Sequence, residues 1–188
     1  MFRNLIRWGA LLAPALLLFQ TASASDIPRL SFDEMTDVSE IVVSGHVTRT
    51  WTAWDAEHKY IWTHYELAVS AVHKGAAGPT VDIAEPGGAA DGIAMSISGG
   101  TGYRVGESVL VFLSRMPNGY LRTSGFGQGK FLVDANGQLQ GSATLKIADT
   151  VTVGSSASAA IRSLDGMTVS HVNQLVSARV RIHGGNAQ

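Results

Sequence analysis

The chain of 188 residues contains no cysteine. That excludes disulfide scaffolds, thiolate zinc sites, iron–sulfur clusters and cysteine nucleophiles together. Charge is also scarce: Asp, Glu, Lys and Arg make up 15% of the residues, and only 5 are proline. Apolar residues reach 45%, so composition places the chain among globular proteins and not disordered ones. Catalytic signatures are missing as well. The sequence holds no G-x-S-x-G elbow, no H-E-x-x-H, no Walker loop and no EF-hand loop.

Residues 1–24 have the three parts of a secretory signal peptide. Arg3 and Arg7 form a basic start, Trp8–Phe19 an apolar middle of about a dozen residues, and Ala22-Ser23-Ala24 a cleavage site. The apolar run is short for a membrane span, and no later stretch is longer. Cleavage after Ala24 is expected to leave a periplasmic or secreted product starting at Ser25, with no transmembrane anchor. Loss of Arg3 and Arg7 leaves 12 basic against 15 acidic residues, a net charge of about −3. A chain of that charge lacks the electrostatic footprint for nucleic acid.

The 21 glycines punctuate short β-branched runs. Ser31-Phe-Asp-Glu34 is a capping box and predicts a short helix over 32–37. Strands are predicted over 41–50, 60–72, 80–85, 93–98, 108–114, 120–125, 129–134 and 138–141. Asn118-Gly119 and Asn136-Gly137 are hairpin turns, since Asn-Gly accepts positive φ at little cost. The run Val109-Leu-Val-Phe-Leu113 is apolar at every position, as a strand covered on both faces would be. Strands at this spacing, joined mostly by hairpin turns, point to a mainly β fold: a small antiparallel OB-like barrel over residues 25–141. The small-residue stretch 142–166 reads as a flexible connector. Thr168 then caps a run with Val169, Val172, Leu175, Val176 and Val180 at helical spacing, a C-terminal helix within 167–183.

Three segments carry a family resemblance: the strand Glu40-Ile-Val-Val-Ser-Gly-His-Val47, its partner ending Tyr65-Glu-Leu-Ala-Val-Ser-Ala-Val-His-Lys-Gly75, and Val109–Leu113 followed by an Asn-Gly turn. Over about residues 38–134 the chain resembles the netrin-module and tissue-inhibitor-of-metalloproteinase group of barrels. It is also similar to exported bacterial proteins with that barrel, some of them beside or within secreted metalloprotease chains. The resemblance implies the barrel. The family's inhibitory mechanism does not transfer, because it needs an N-terminal disulfide-bonded cysteine, and this mature chain would begin Ser25-Asp-Ile-Pro28.

Two groups of residues could carry function. Trp51, Trp54, Tyr60 and Trp62 gather near the tip of the first hairpin, and Trp and Tyr supply large contact area at low entropic cost. Such a surface would take a protein or cell-surface partner; barrel-end packing is the competing fate of these rings. His46, His64 and Glu66 occupy even positions of the first two strands and would share an outer, solvated face. Two imidazoles and a carboxylate could hold a metal or act as acid and base in a hydrolytic enzyme. No catalytic set and no cofactor is otherwise indicated. Arg104, Glu107, Arg115 and Arg122 read as rim charges, and Gly125-Phe-Gly-Gln-Gly-Lys130 as a glycine-rich bend between strands. The expected function is therefore an exported binding module, with the hydrolytic enzyme as the alternative.

Overall fold

The computed structural model describes residues 29–97, 100–141 and 164–184. The signal peptide expected over 1–24 and most of the connector, 142–163, lie outside the described residues.

Helix α1 (Phe32–Val38) forms where its capping box predicts. The Ser31 backbone N–H donates to Glu34 Oε2 at 2.8 Å, and the Glu34 N–H donates to Ser31 Oγ at 3.2 Å. The Ser31 backbone N–H and the Ser31 hydroxyl, which donates to the same Oε2 at 2.7 Å, hold the Glu34 carboxyl below its ordinary range. Two long strands follow, β1 (Ile41–Trp54) and β2 (Ile61–Lys74), then β3 (Thr80–Pro86). A small hairpin of β4 (Gly88–Ala90) and β5 (Ile93–Met95) turns at Asp91-Gly92, both with positive φ. The remaining strands are β6 (Ser108–Arg115), β7 (Leu121–Thr123), β8 (Lys130–Val133) and β9 (Leu139–Gly141). Helix α2 (Val169–Gly184) ends the described chain.

The fold is mainly β and its sheet closes on itself. Strand β1 pairs antiparallel with both β2 and β6; β2 pairs with β3, and β6 with β7. The last contact of this five-stranded ring, β3 with β7, is parallel and consists of one residue pair, Ile83 with Leu121. The otherwise antiparallel barrel therefore has one parallel seam. Beyond the ring, β8 pairs with β6 and β9 with β8.

Alternation along the strands builds two cores. Val43, Val47, Leu67, Ile83, Val109, Val111 and Leu113 fill the ring. Val42, Leu110, Phe112, Phe131 and Leu139 point to the outer side, where α1 and α2 cover them with Met35, Val172 and Val176. The full apolarity of β6 has its reason here: odd residues face one core, even residues the other. Leu164, at the end of the expected connector, is buried in the second core. Helix α2 is tied to α1 as well, by Arg179 to Asp33 and Asp37 at 3.1 and 2.5 Å.

The glycine-rich bend expected at 125–130 is a 3₁₀ turn, Phe126–Gly129, between β7 and β8. Two parts of the fold differ from sequence expectation. The hairpin β4–β5 replaces the single strand expected at 93–98, because Gly87 and Gly88 adopt φ of 109° and 131° and restart the chain as a strand. On β2, the even residues Trp62 and His64 are buried and the odd residue Ala71 is exposed. Register shifts along the β1–β2 pair, together with covering side chains from distant segments, override the simple alternation.

Candidate functional site

The β1–β2 hairpin positions both groups of candidate residues, the aromatic four and the His46, His64 and Glu66 set. Its strands are 14 residues each, and Trp54 pairs with Ile61 at the far end. His58, with φ of 53°, sits in the turn. Trp54 is held from two sides. Its Nε1 donates to Asp91 Oδ2 at 2.9 Å, and its ring stacks on His58 with centroids 5.6 Å apart and planes 11° from parallel. Thr52 ties the same region to the β4–β5 hairpin by donating to the Ala89 carbonyl at 2.5 Å. Tyr60 is 53% exposed and Ile93, two residues beyond Asp91, is 52% exposed. The tip thus presents half-buried Trp54 beside two exposed apolar side chains on a braced support.

Trp51 and Trp62 serve differently. Trp51 stacks on His64, and the Arg49 guanidinium lies over the Trp51 ring at 4.8 Å from its centroid. Trp62 is buried, packed edge-on against Tyr120 at 5.0 Å, with Arg122 at 6.0 Å from its centroid. Its Nε1 has no hydrogen-bond partner among the described residues. Trp62 is therefore a packing residue of the barrel wall, a correction to its expected place on the binding surface. Tyr120 folds over it from the end of the Asn118-Gly119 turn.

His46, His64 and Glu66 do not converge. His46 is exposed and lies opposite Ala68. Glu66 accepts from Thr48 Oγ1 at 2.7 Å. His64 is buried between Trp51 and Tyr120, and its Nδ1 lies 2.9 Å from Asp82 Oδ2. A carboxylate only accepts, so Nδ1 carries the proton. Among the described residues, no three His, Asp or Glu side chains are grouped as metal ligands. The expected shared face breaks because a register shift between Val47 and Arg49 separates His46 from the other two.

A second constellation was not legible in the sequence. Glu85, the last inward residue of β3, is 2% exposed at one end of the ring. Its Oε1 accepts from the Thr123 backbone N–H at 2.8 Å, and Arg122 Nη2 approaches Oε2 at 3.3 Å. Burial raises the Glu85 carboxyl above its ordinary range, against the opposing pull of Thr123 and Arg122. Tyr103 and Tyr65 stand next to each other at 4.9 Å, and burial raises both phenols too. Tyr103 shares a 2.5 Å bond with Thr123 Oγ1. Lys130, 4% exposed, donates to Glu107 and to the Gly102 carbonyl, each at 2.7 Å. Arg122 and Glu107 are thus partners of buried charges and not rim residues. A single charged residue in a strand pattern gives no sign that its partner comes from across a barrel.

This end of the ring opens into a cleft of about 200 Å³ between β3, the β4–β5 hairpin and residues 100–102. Thr63, Tyr65, Glu85 and Thr101 line it. The Thr101 hydroxyl is buried without a partner among the described residues. Comparison with protein-family models, with curated proteins and with solved structures found no match to this chain.

Proposed function

We propose that the chain is an exported binding module with an OB-like barrel, and that the tip of its first hairpin engages a protein or cell-surface partner. One observation carries the reading. Trp54 is fixed in place by Asp91 and His58, and Tyr60 and Ile93 stand exposed at the same tip. A rigid aromatic surface loses little entropy on binding, which is the property of interface anchors. The resemblance to netrin-like barrels supports a protein as the partner class, and the leader-like residues 1–24 support export. No helix among the described residues is long and apolar enough to cross a membrane.

The test is capture from the exported fraction of the native cells, comparing the parent chain with Tyr60→Ala and with Trp54→Ala plus Tyr60→Ala. A partner retained by the parent and lost by both variants, with their melting temperatures preserved, supports the reading. Equal capture by all three overturns it. The hydrolytic alternative keeps one observation in its favour, the His64–Asp82 pair. It predicts hydrolysis of an ester or peptide probe that disappears in His64→Gln; no turnover by the parent chain removes it.

A further inference from the structure

We propose that the cleft at the Glu85 end of the ring is a binding subsite for a neutral, hydroxyl-bearing ring, a single sugar unit in size and chemistry. This site is separate from the hairpin tip and does not rest on the function proposed for it.

The hydrogen-bonding inventory of the walls selects the ligand class. Thr63 Oγ1 donates to the Gly87 carbonyl at 2.7 Å and also bonds the Tyr65 hydroxyl, so one lone pair remains to accept. Glu85 accepts from Thr123 and Arg122 and has acceptor capacity left. Thr101 Oγ1 has neither donor nor acceptor satisfied among the described residues. Leaving a buried hydroxyl unmet is costly, and rotation about its χ1 is the movement that brings it to an occupant of the cleft. The walls therefore ask for a group that both donates and accepts, which a sugar hydroxyl does.

Charge balance argues for neutrality. The Glu85 carboxylate is already matched by Arg122. An ammonium would add an uncompensated charge at a site where burial already disfavours ions, and a carboxylate would face Glu85 directly. Shape agrees. The volume is about 200 Å³, and Tyr65 and Ile97 give it apolar wall as well as polar. Gly102 lines the cleft, and a Cβ there would meet nothing within 4 Å, so this position has room for a side chain beside the cleft.

The test is a nuclear magnetic resonance titration of the parent chain with methyl glucoside and N-acetylglucosamine. Glucosamine and glucuronate serve as charged counterparts. The expected result is saturable shifts of the Glu85–Gly88 and Thr101–Gly102 amides with a neutral sugar, and weaker binding of both charged ones. Thr101→Val should weaken the neutral sugar about tenfold, the loss of one hydrogen bond. Gly102→Val, which adds bulk at a lining position with open space around it, should weaken binding at least tenfold, and its melting temperature should match the parent's. No shifts with any sugar, shifts that persist in both variants, or tighter binding of glucosamine would each overturn the proposal. Should Thr101→Val fail to fold, Gly102→Val alone decides between the outcomes.

Discussion

Trp51 lies flat on His64, with ring centroids 5.1 Å apart and planes 8° from parallel. The two residues face each other across the β1–β2 ladder, so the stack is a cross-strand pair that also buries a titratable ring. A double-mutant cycle of Trp51→Ala and His64→Ala should give a coupling of about 0.5–1.5 kcal/mol in urea denaturation. A coupling near zero would mean that His64 is held by Asp82 and Tyr120 alone.

Stability should carry a pH signature from Glu85. Its folded-state pKa is raised above the ordinary 4.5, chiefly by burial. The folded chain then holds this proton to higher pH than the unfolded chain does. The Glu85 contribution therefore falls as pH rises from about 4.5 through the raised value, and is constant above it. Glu85→Gln removes that slope. Plotted against pH, the stability of the variant relative to the parent should rise across this window, as urea midpoints will show. A flat difference would contradict the assignment.

Gly45 marks a close approach of strands. A Cβ at this position would collide with the Ala68 carbonyl oxygen, a backbone atom that cannot swing away. Gly45→Ala should cost at least about 3 kcal/mol or abolish folding. Gly92→Ala is the control: its Cβ meets nothing, and its positive φ of 77° should cost only about 1 kcal/mol.

Helix α2 is docked through Val172 and Val176, both fully buried. Val176→Asp places a charge against Phe112 and its neighbours in the second core. A loss of about 3 kcal/mol or more is expected. Hydrogen exchange should quicken first in α2 and α1, ahead of the ring strands. Uniform quickening would show that helices and ring unfold as one unit.

Much of this architecture could be read from local chemistry. The capping box at Ser31, the Asn-Gly turns and the unbroken apolar run of β6 each act within a few residues, and each is where expected. His64 and Trp62 show the limit. Their placement on the outer side of β2 follows from period two, but their burial depends on Tyr120, more than fifty positions along the chain. Glu85 and Lys130 show it again. Each looks like an ordinary charged residue in a strand, and only ring closure brings Arg122, Thr123 and Glu107 to them. The aromatic cluster divided for the same reason: Trp54 and Tyr60 stay at the tip, whereas Trp62 is covered by a side chain no local pattern could supply.

The parallel seam between β3 and β7 has a mechanical meaning. Ile83 and Leu121 supply its single ladder pair, yet two residues further on the Glu85 carboxylate takes the Thr123 backbone N–H. A side chain there does the work of a missing strand carbonyl. The ring is in effect a curled ribbon fastened by a buried acid, and the latch is the one place where it could unclasp without breaking a full ladder.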